Sequence, residues 1–282
     1  MIPPDSSPKR LTDPRSAVGA AQPEGLVVFV HIPRTAGQTL SSIIARCYRR
    51  GEVFNYRGPL VREIKIPEAR KPSLRLIKGH FAYGIHEQFV SPCTYITFLR
   101  DPVRRVASLF RYTVANQKHP LHASVKGMSF EEFVTSGIDA VEVENGQTRQ
   151  LSGIADAVPG PAMLEAAIQH LEESFTVAGI TERFDESLLL LRGALRWPVR
   201  FYRTTNASGV AGADISPEAR RLVEARNVLD VQLYDAAVEL FERRLARQGS
   251  LLPAKLASFR ALNKAAQVYR RAYRRPSSSS RS

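Results

Sequence analysis

The chain has 282 residues, 44% hydrophobic and 24% charged, which excludes a disordered protein and suits one catalytic α/β domain with tails. Two cysteines, Cys47 and Cys93, are too few for a disulfide framework and match no zinc-ligand spacing, so they read as small apolar residues in a reducing compartment. The net charge of +13 is unevenly placed: residues 1–24 sum to zero, 25–249 to +5, and 250–282 to +8 without one acid. A mildly basic body suits an anionic ligand, and the tail suits a phosphate-rich surface.

The N-terminal segment is rich in proline and shows no apolar period, so residues 1–24 are expected to form a flexible leader. It lacks the apolar stretch of a secretory signal, and no later window reaches a membrane-spanning length, so a soluble cytoplasmic protein is expected. Order should begin near Gly25. The run LVVFVHI (Leu26 to Ile32) is the pattern of a strand buried on both faces. A small-residue turn follows it, then TLSSIIARCYRR, where Leu40, Ile43, Ile44 and Cys47 recur at helical spacing. Further strands are predicted at Leu74 to His80 and Thr94 to Arg100, and a helix after Pro102.

Helices are then expected at Ser129–Ser136, Pro161–Glu173 and Asp185–Leu195, and strands at Phe175–Ile180 and Val199–Tyr202. Ser216 and Pro217 supply the cap and first position of a long helix reaching about Arg247. This alternation predicts a single α/β domain over residues 25–249, with a parallel sheet and helices on both faces. Residues 250–282 form a basic tail, expected to be helical and then disordered, with Leu256, Phe259, Leu262 and Ala266 as an apolar stripe able to touch a membrane surface.

In such sheets ligands collect at the carboxyl ends of the strands. Three clusters sit there. In HIPRTAGQTL, small Ala36 and Gly37 let the backbone approach an anion, Arg34 and Thr35 add donors, and Gln38, Thr39 and Leu40 open a helix whose positive end faces it. It is not a Walker A loop, because the leading glycine and the Gly-Lys-Ser/Thr ending are absent. In RDPVRRVAS, Arg100 leaves a strand end and Ser108 lies two turns into the following helix, so a guanidinium and a hydroxyl can converge on a second phosphate. In GHFAYGIH, His80 and His86 are candidate general bases, and the strand-end position favours His80. Asn145, Gln147 and Arg149 in ENGQTRQL form a polar trio that can bond an acidic sugar or simply build a turn, and Thr204 to Ser208 can close over a nucleotide or form a plain loop.

The loop HIPRTAGQT joined to RDPVRRVAS resembles the paired 5'-phosphosulfate and 3'-phosphate motifs of sulfotransferases that use 3'-phosphoadenosine-5'-phosphosulfate (PAPS). The likeness is to the heparan sulfate O-sulfotransferase type, particularly the 6-O-sulfotransferases and their bacterial relatives. It continues through ENGQTRQLSG, AGITERFDESLLLL and NVLDVQLYDAAVELFERR, from about Leu26 to Arg247. The resemblance implies a P-loop-like fold, PAPS as sulfuryl donor, no metal requirement and a hydroxyl acceptor on a small molecule or glycan. Arg34, Thr35, Ala36, Gly37, Gln38, Thr39, Leu40, Arg100 and Ser108 would then hold the donor, and Arg34 and a histidine would act in transfer. The chain departs from that pattern where Arg34 replaces the usual lysine and Gln38 a small or hydroxyl residue. Two other functions compete. A P-loop kinase or nucleotide hydrolase would need Mg²⁺, with Asp101 as the strand-end acid. A nucleic-acid or membrane adaptor would act through the basic tail, although nucleic acid is not the expected partner.

Overall fold

The computed structural model describes residues 25–154, 158–198, 201–202 and 215–272. In chain order the described elements are β1 (Leu26–Val30), α1 (Gly37–Ile44), β2 (Val53–Asn55), β3 (Leu76–Gly79), β4 (Cys93–Leu99), α2 (Pro102–Ala115), α3 (His122–Val125), α4 (Phe130–Thr135), α5 (Ala140–Val143) and α6 (Gly146–Ser152). They continue with α7 (Pro161–Glu173), β5 (Phe175–Ile180), α8 (Phe184–Leu195), α9 (Pro217–Arg226), α10 (Val228–Ala246) and α11 (Leu252–Ala272).

The five strands form one sheet in the order β2-β3-β1-β4-β5, and every pairing is parallel. All five residues of β1 are buried, and successive side chains point to opposite faces, so both faces of the sheet are covered. The predicted P-loop-like α/β class therefore holds. After β1 the chain builds β2 and β3 on one side and then β4 and β5 on the other. The order thus reverses at the carboxyl end of β1, where α/β sheets open a crevice for ligands.

The core lies along the sheet, with Phe29, Leu40, Ile77, Phe98 and Phe175 among its buried members. A second apolar cluster, centred on Val106, Leu109, Phe133 and Val223, ties α2 to α4 and α9. Local chemistry starts the helices as the sequence suggests. Asp101 accepts from Arg104 N at 2.8 Å ahead of Pro102, and Ser216 Oγ accepts from Ala219 N at 3.0 Å ahead of Pro217.

Three expectations change. The edge strand β2 is only three residues long, too short to show a period, and the sequence pattern missed it. The single helix expected from Ser216 to Arg247 is two, because Asn227 leaves helical geometry at φ −123°, and its side chain accepts from Asn145 N. Of the strand expected at Val199–Tyr202, residues 199–200 lie outside the described residues, and Phe201 and Tyr202 pair with no strand among the described residues. Those two rings stack on Phe259 of α11 instead.

The first part of the basic tail is docked onto the domain. Phe259 is buried in the main core, Asn263 Oδ1 accepts from Tyr202 N at 2.8 Å, and Arg260 Nε bonds Asp185 at 3.0 Å. The predicted apolar stripe is thereby split, with Phe259 turned inward and Leu262 exposed. Among the described residues no helix is long and apolar enough to cross a membrane.

Candidate active site

Three neighbouring strand ends converge. β3 delivers His80, β1 delivers His31 and the loop to Thr39, and β4 delivers Arg100. In that loop Arg34 and Ala36 adopt left-handed backbone at φ 69° and 63°, a strain that non-glycine residues accept mainly at functional turns. Arg100 holds the first of them, its Nη1 donating to Arg34 O at 3.0 Å. The Arg34 side chain reaches α2: its Nε donates to Ser108 Oγ at 3.2 Å, and its guanidinium lies 4.4 Å from the Tyr112 ring centroid. Arg34, Arg100 and Ser108 are thus brought together.

This cluster is strongly basic. Burial, with Arg34, Arg111 and Arg104 nearby, pulls the Arg100 pKa down against the opposing effect of Glu182. Arg100 Nε is buried with no hydrogen-bond partner among the described residues; its nearest carboxylate oxygen, on Glu182, is 3.8 Å away. An orphaned guanidinium N–H in a cluster of arginines has the chemistry to receive an anion.

His31 and His80 touch, with His31 Nδ1 3.2 Å from His80 Nε2. Burial lowers both pKa values; for His31, with His80, Lys78 and Arg34 adding to it, the value falls to about 3. The His31 ring also explains Gly37. A Cβ there would stand 1.7 Å from His31 Nε2, so only glycine fits. Lys78 pairs with Phe29 across β3 and β1, which puts it on the sheet face shared by His31 and His80.

His86 is placed elsewhere. Its Nδ1 lies 2.9 Å from Tyr95 Oη, and Tyr95 precedes the end of β4 by four residues, roughly 13 Å back along the strand. The strand-end argument that favoured His80 therefore separates the two histidines in space.

The short helix α6 lies across the strand ends. Gln147 takes both main-chain groups of Arg100, its Oε1 accepting from Arg100 N at 3.0 Å and its Nε2 donating to Arg100 O at 2.9 Å. One turn later, Gln150 Nε2 donates to His31 O at 3.1 Å and to Phe81 O at 3.0 Å. α6 is itself anchored by buried Asp230 of α10, which accepts from Thr148 N at 2.8 Å and from Gln147 N at 3.2 Å, as a cap would. Arg105, fully buried, lies 3.7 Å from the same carboxylate and 3.3 Å from Glu142.

Two members of the polar trio, Asn145 and Gln147, take the structural part that the sequence left open beside sugar binding. Asn145 Oδ1 accepts from Leu229 N and Asp230 N, starting α10, and Gln147 is committed to Arg100, so both amides build the scaffold rather than meet an acceptor. Arg149 Nε donates to Glu144 O at 3.2 Å. Two loop residues also face inward. Thr35 is buried, with Oγ1 donating to Ile32 O, and Leu40 sits in the core with its N–H on Ala36 O. Gly37, Gln38 and Thr39 form the first turn of α1, where helical N–H groups point outward. Thr204 to Ser208 lies outside the described residues.

The model of the family described as galactose-3-O-sulfotransferase matches residues 2–271. The chain belongs to that family. Its relatives include galactose-3-O-sulfotransferase 3 of Mus musculus, 30% identical over 250 residues, which cover 79% of this chain and 58% of that protein. Galactose-3-O-sulfotransferase 2 of Homo sapiens is 35% identical over 239 residues, covering 74% and 58%. Galactosylceramide sulfotransferase of Bos taurus is 28% identical over 276 residues, covering 87% and 65%. The chain therefore spans about three fifths of the length of these relatives. Among solved structures, mouse sulfotransferase SULT7A1 complexed with PAP shares 15% identity at a TM-score of 0.39, covering 77% of this chain and 70% of that one, a likeness too distant to carry an argument.

The expected sulfotransferase kinship holds, and the family that matches is that of the galactose-3-O-sulfotransferases. Sequence reasoning missed His31, Lys78 and Gln150. The strand-end rule that selected His80 applies equally to His31, the first residue after β1, and so had the power to find it. No comparable signal marks Gln150.

Proposed function

We propose that the chain transfers the sulfuryl group of PAPS to a hydroxyl of a galactose-bearing glycan or glycolipid, at the 3-position that names its family. The observation that carries this reading is the meeting of an arginine cluster and a half-buried histidine on three adjacent strand ends. The names of the relatives, galactose-3-O-sulfotransferases and galactosylceramide sulfotransferase, supply the acceptor class.

The residues present suit the donor. It carries a sulfuryl group on a phosphate leaving group, together with a 3'-phosphate. Arg100, with its unpartnered Nε, and Ser108 are the anchor assigned to the 3'-phosphate, and Arg34 leans to that same side. The first turn of α1 presents its N–H groups to the phosphosulfate. His80, kept neutral by burial, takes the acceptor proton, and Lys78 adds positive charge on the same face.

Asp101, the acid that a kinase would need for Mg²⁺, is engaged as the cap of α2, which argues against that alternative. The docking of α11 onto the domain argues against a free adaptor tail.

Thermal shift with PAP, PAPS, ATP and GTP, followed by sulfate transfer to β-galactosides with and without EDTA, tests the proposal. PAP should raise the melting temperature well above the effect of ATP, by mass action on the native state. Transfer should continue in EDTA. Stabilisation by ATP with Mg²⁺ but not by PAP would reject the sulfotransferase reading.

A further inference from the structure

We infer that His31 is a positioning residue that holds His80 in the Nε2-protonated tautomer, leaving the His80 Nδ1 lone pair to meet the acceptor hydroxyl. The inference rests on the reading of His80 as the base. His31 Nδ1 and His80 Nε2 lie 3.2 Å apart, and a hydrogen bond between two neutral imidazoles needs one N–H and one lone pair. If His31 Nδ1 were the donor, the His80 Nε2 lone pair would be consumed and its Nδ1 would carry the proton. No basic atom of His80 would then face an acceptor. With His80 Nε2 as donor, His80 Nδ1 is a lone pair and His31 carries its proton on Nε2.

The surroundings of His31 support the second arrangement. Its Nε2 is pressed against Gly37, the first residue of α1, at the lip of the loop assigned to the phosphosulfate. An anion held by that loop favours an N–H over a lone pair on the ring nitrogen beside Gly37. Burial keeps His31 neutral, and the titratable groups that add to it, His80, Lys78 and Arg34, are all basic. It therefore remains an acceptor at Nδ1 when His80 becomes charged. Gln150 fixes the His31 main chain through its carbonyl, so the ring is set from both ends.

The proton balance is complete. The acceptor O–H proton passes to His80 Nδ1 as the acceptor oxygen bonds to sulfur. The bond from sulfur to the phosphate oxygen breaks, and PAP leaves with that electron pair. The imidazolium of His80 keeps its Nε2–H on His31 Nδ1, where the neutral ring stabilises it.

Long-range ¹H–¹⁵N spectra of selectively ¹⁵N-histidine-labelled protein in the PAP complex read the tautomer without turnover. His80 should be protonated at Nε2 and bare at Nδ1, and His31 protonated at Nε2. In His31→Leu, checked for folding by circular dichroism, the His80 signal should become a mixture of tautomers. Its kcat should fall about 10- to 100-fold, with acceptor KM changing much less. His31→Gln, whose amide oxygen can accept from His80, should recover part of that loss. An Nδ1-protonated His80 in the wild-type complex, or an unchanged kcat and pH profile in His31→Leu, overturns the role of His31. His80→Ala separates this failure from that of the functional reading: turnover retained there overturns the base assignment itself.

Discussion

Arg34 stands where the sulfotransferase resemblance leads one to expect lysine, and its planar fork serves two partners that a lysine could not serve together. Nε bonds Ser108 while the guanidinium face lies on Tyr112. This turns the Arg34 charge toward the side of the site where Arg100 stands. Arg100 is the more exacting residue. One of its nitrogens holds the strained Arg34 carbonyl, and a second is buried without a hydrogen-bond partner among the described residues. Arg100→Ala should therefore weaken PAP binding about 10- to 100-fold, the loss of a charge-assisted hydrogen bond, measured by calorimetric titration. An unchanged Kd in a folded variant would remove Arg100 from the anion site.

At the scale of elements, α6 registers the site. Its two glutamines stand three residues apart, on one face of the helix, and bond the main chain leaving β1, β3 and β4. Gln150→Leu keeps the apolar bulk and strips two carbonyls of their donor. It should cost about 1–3 kcal/mol of stability in urea unfolding. It should also lower kcat more than it weakens PAP binding, because His31 and the segment after His80 lose their tether while the arginine cluster keeps Gln147. A variant with full turnover would show that the strand ends hold themselves. The break between α9 and α10 belongs to the same design, since Asn227 leaves the helix to accept from Asn145, and Asn145 in turn caps α10.

The molecule as a whole should lose stability in acid, partly through His31. Its folded pKa of about 3 lies below the unfolded value near 6.5, so between those limits only the unfolded chain takes the proton. Stability from this group is therefore full above pH 6.5 and falls as the pH drops toward 3. By pH 5 the loss is at most ~2 kcal/mol. Asp139 acts in the opposite sense. Burial and then Glu142 raise its pKa to about 6, so the folded state gains a proton first as pH falls. Comparing urea midpoints of wild type and His31→Leu at pH 7 and pH 5 isolates the histidine. The variant should show the smaller acid loss, and equal losses would mean that His31 is protonated in the folded state. Activity should likewise fall as pH drops through the pKa of His80, at a value below the ordinary 6.5 because burial disfavours its charged form.

Local pattern was enough for much of this protein. The β-branched run of β1, the glycine turn after it, the Arg-Asp-Pro start of α2 and the Ser-Pro start of α9 each act within a few residues, so the sequence alone determined an α/β sheet with two polar clusters at its strand ends. It also placed His80, and not His86, at a strand end, because a strand end is a local feature. Tertiary structure alone decided the rest. The His31–His80 contact joins residues 49 apart, Asn145 and Asn227 meet across 82, and Gln150 reaches His31 across 119. The polar stretch ENGQTRQL has the composition of either a binding loop or a capped helix, and only the arrival of Asp230 and the strand-end peptides selects the second. A polar side chain takes its role from the partners that folding brings within about 3 Å, and those partners leave no period in the chain.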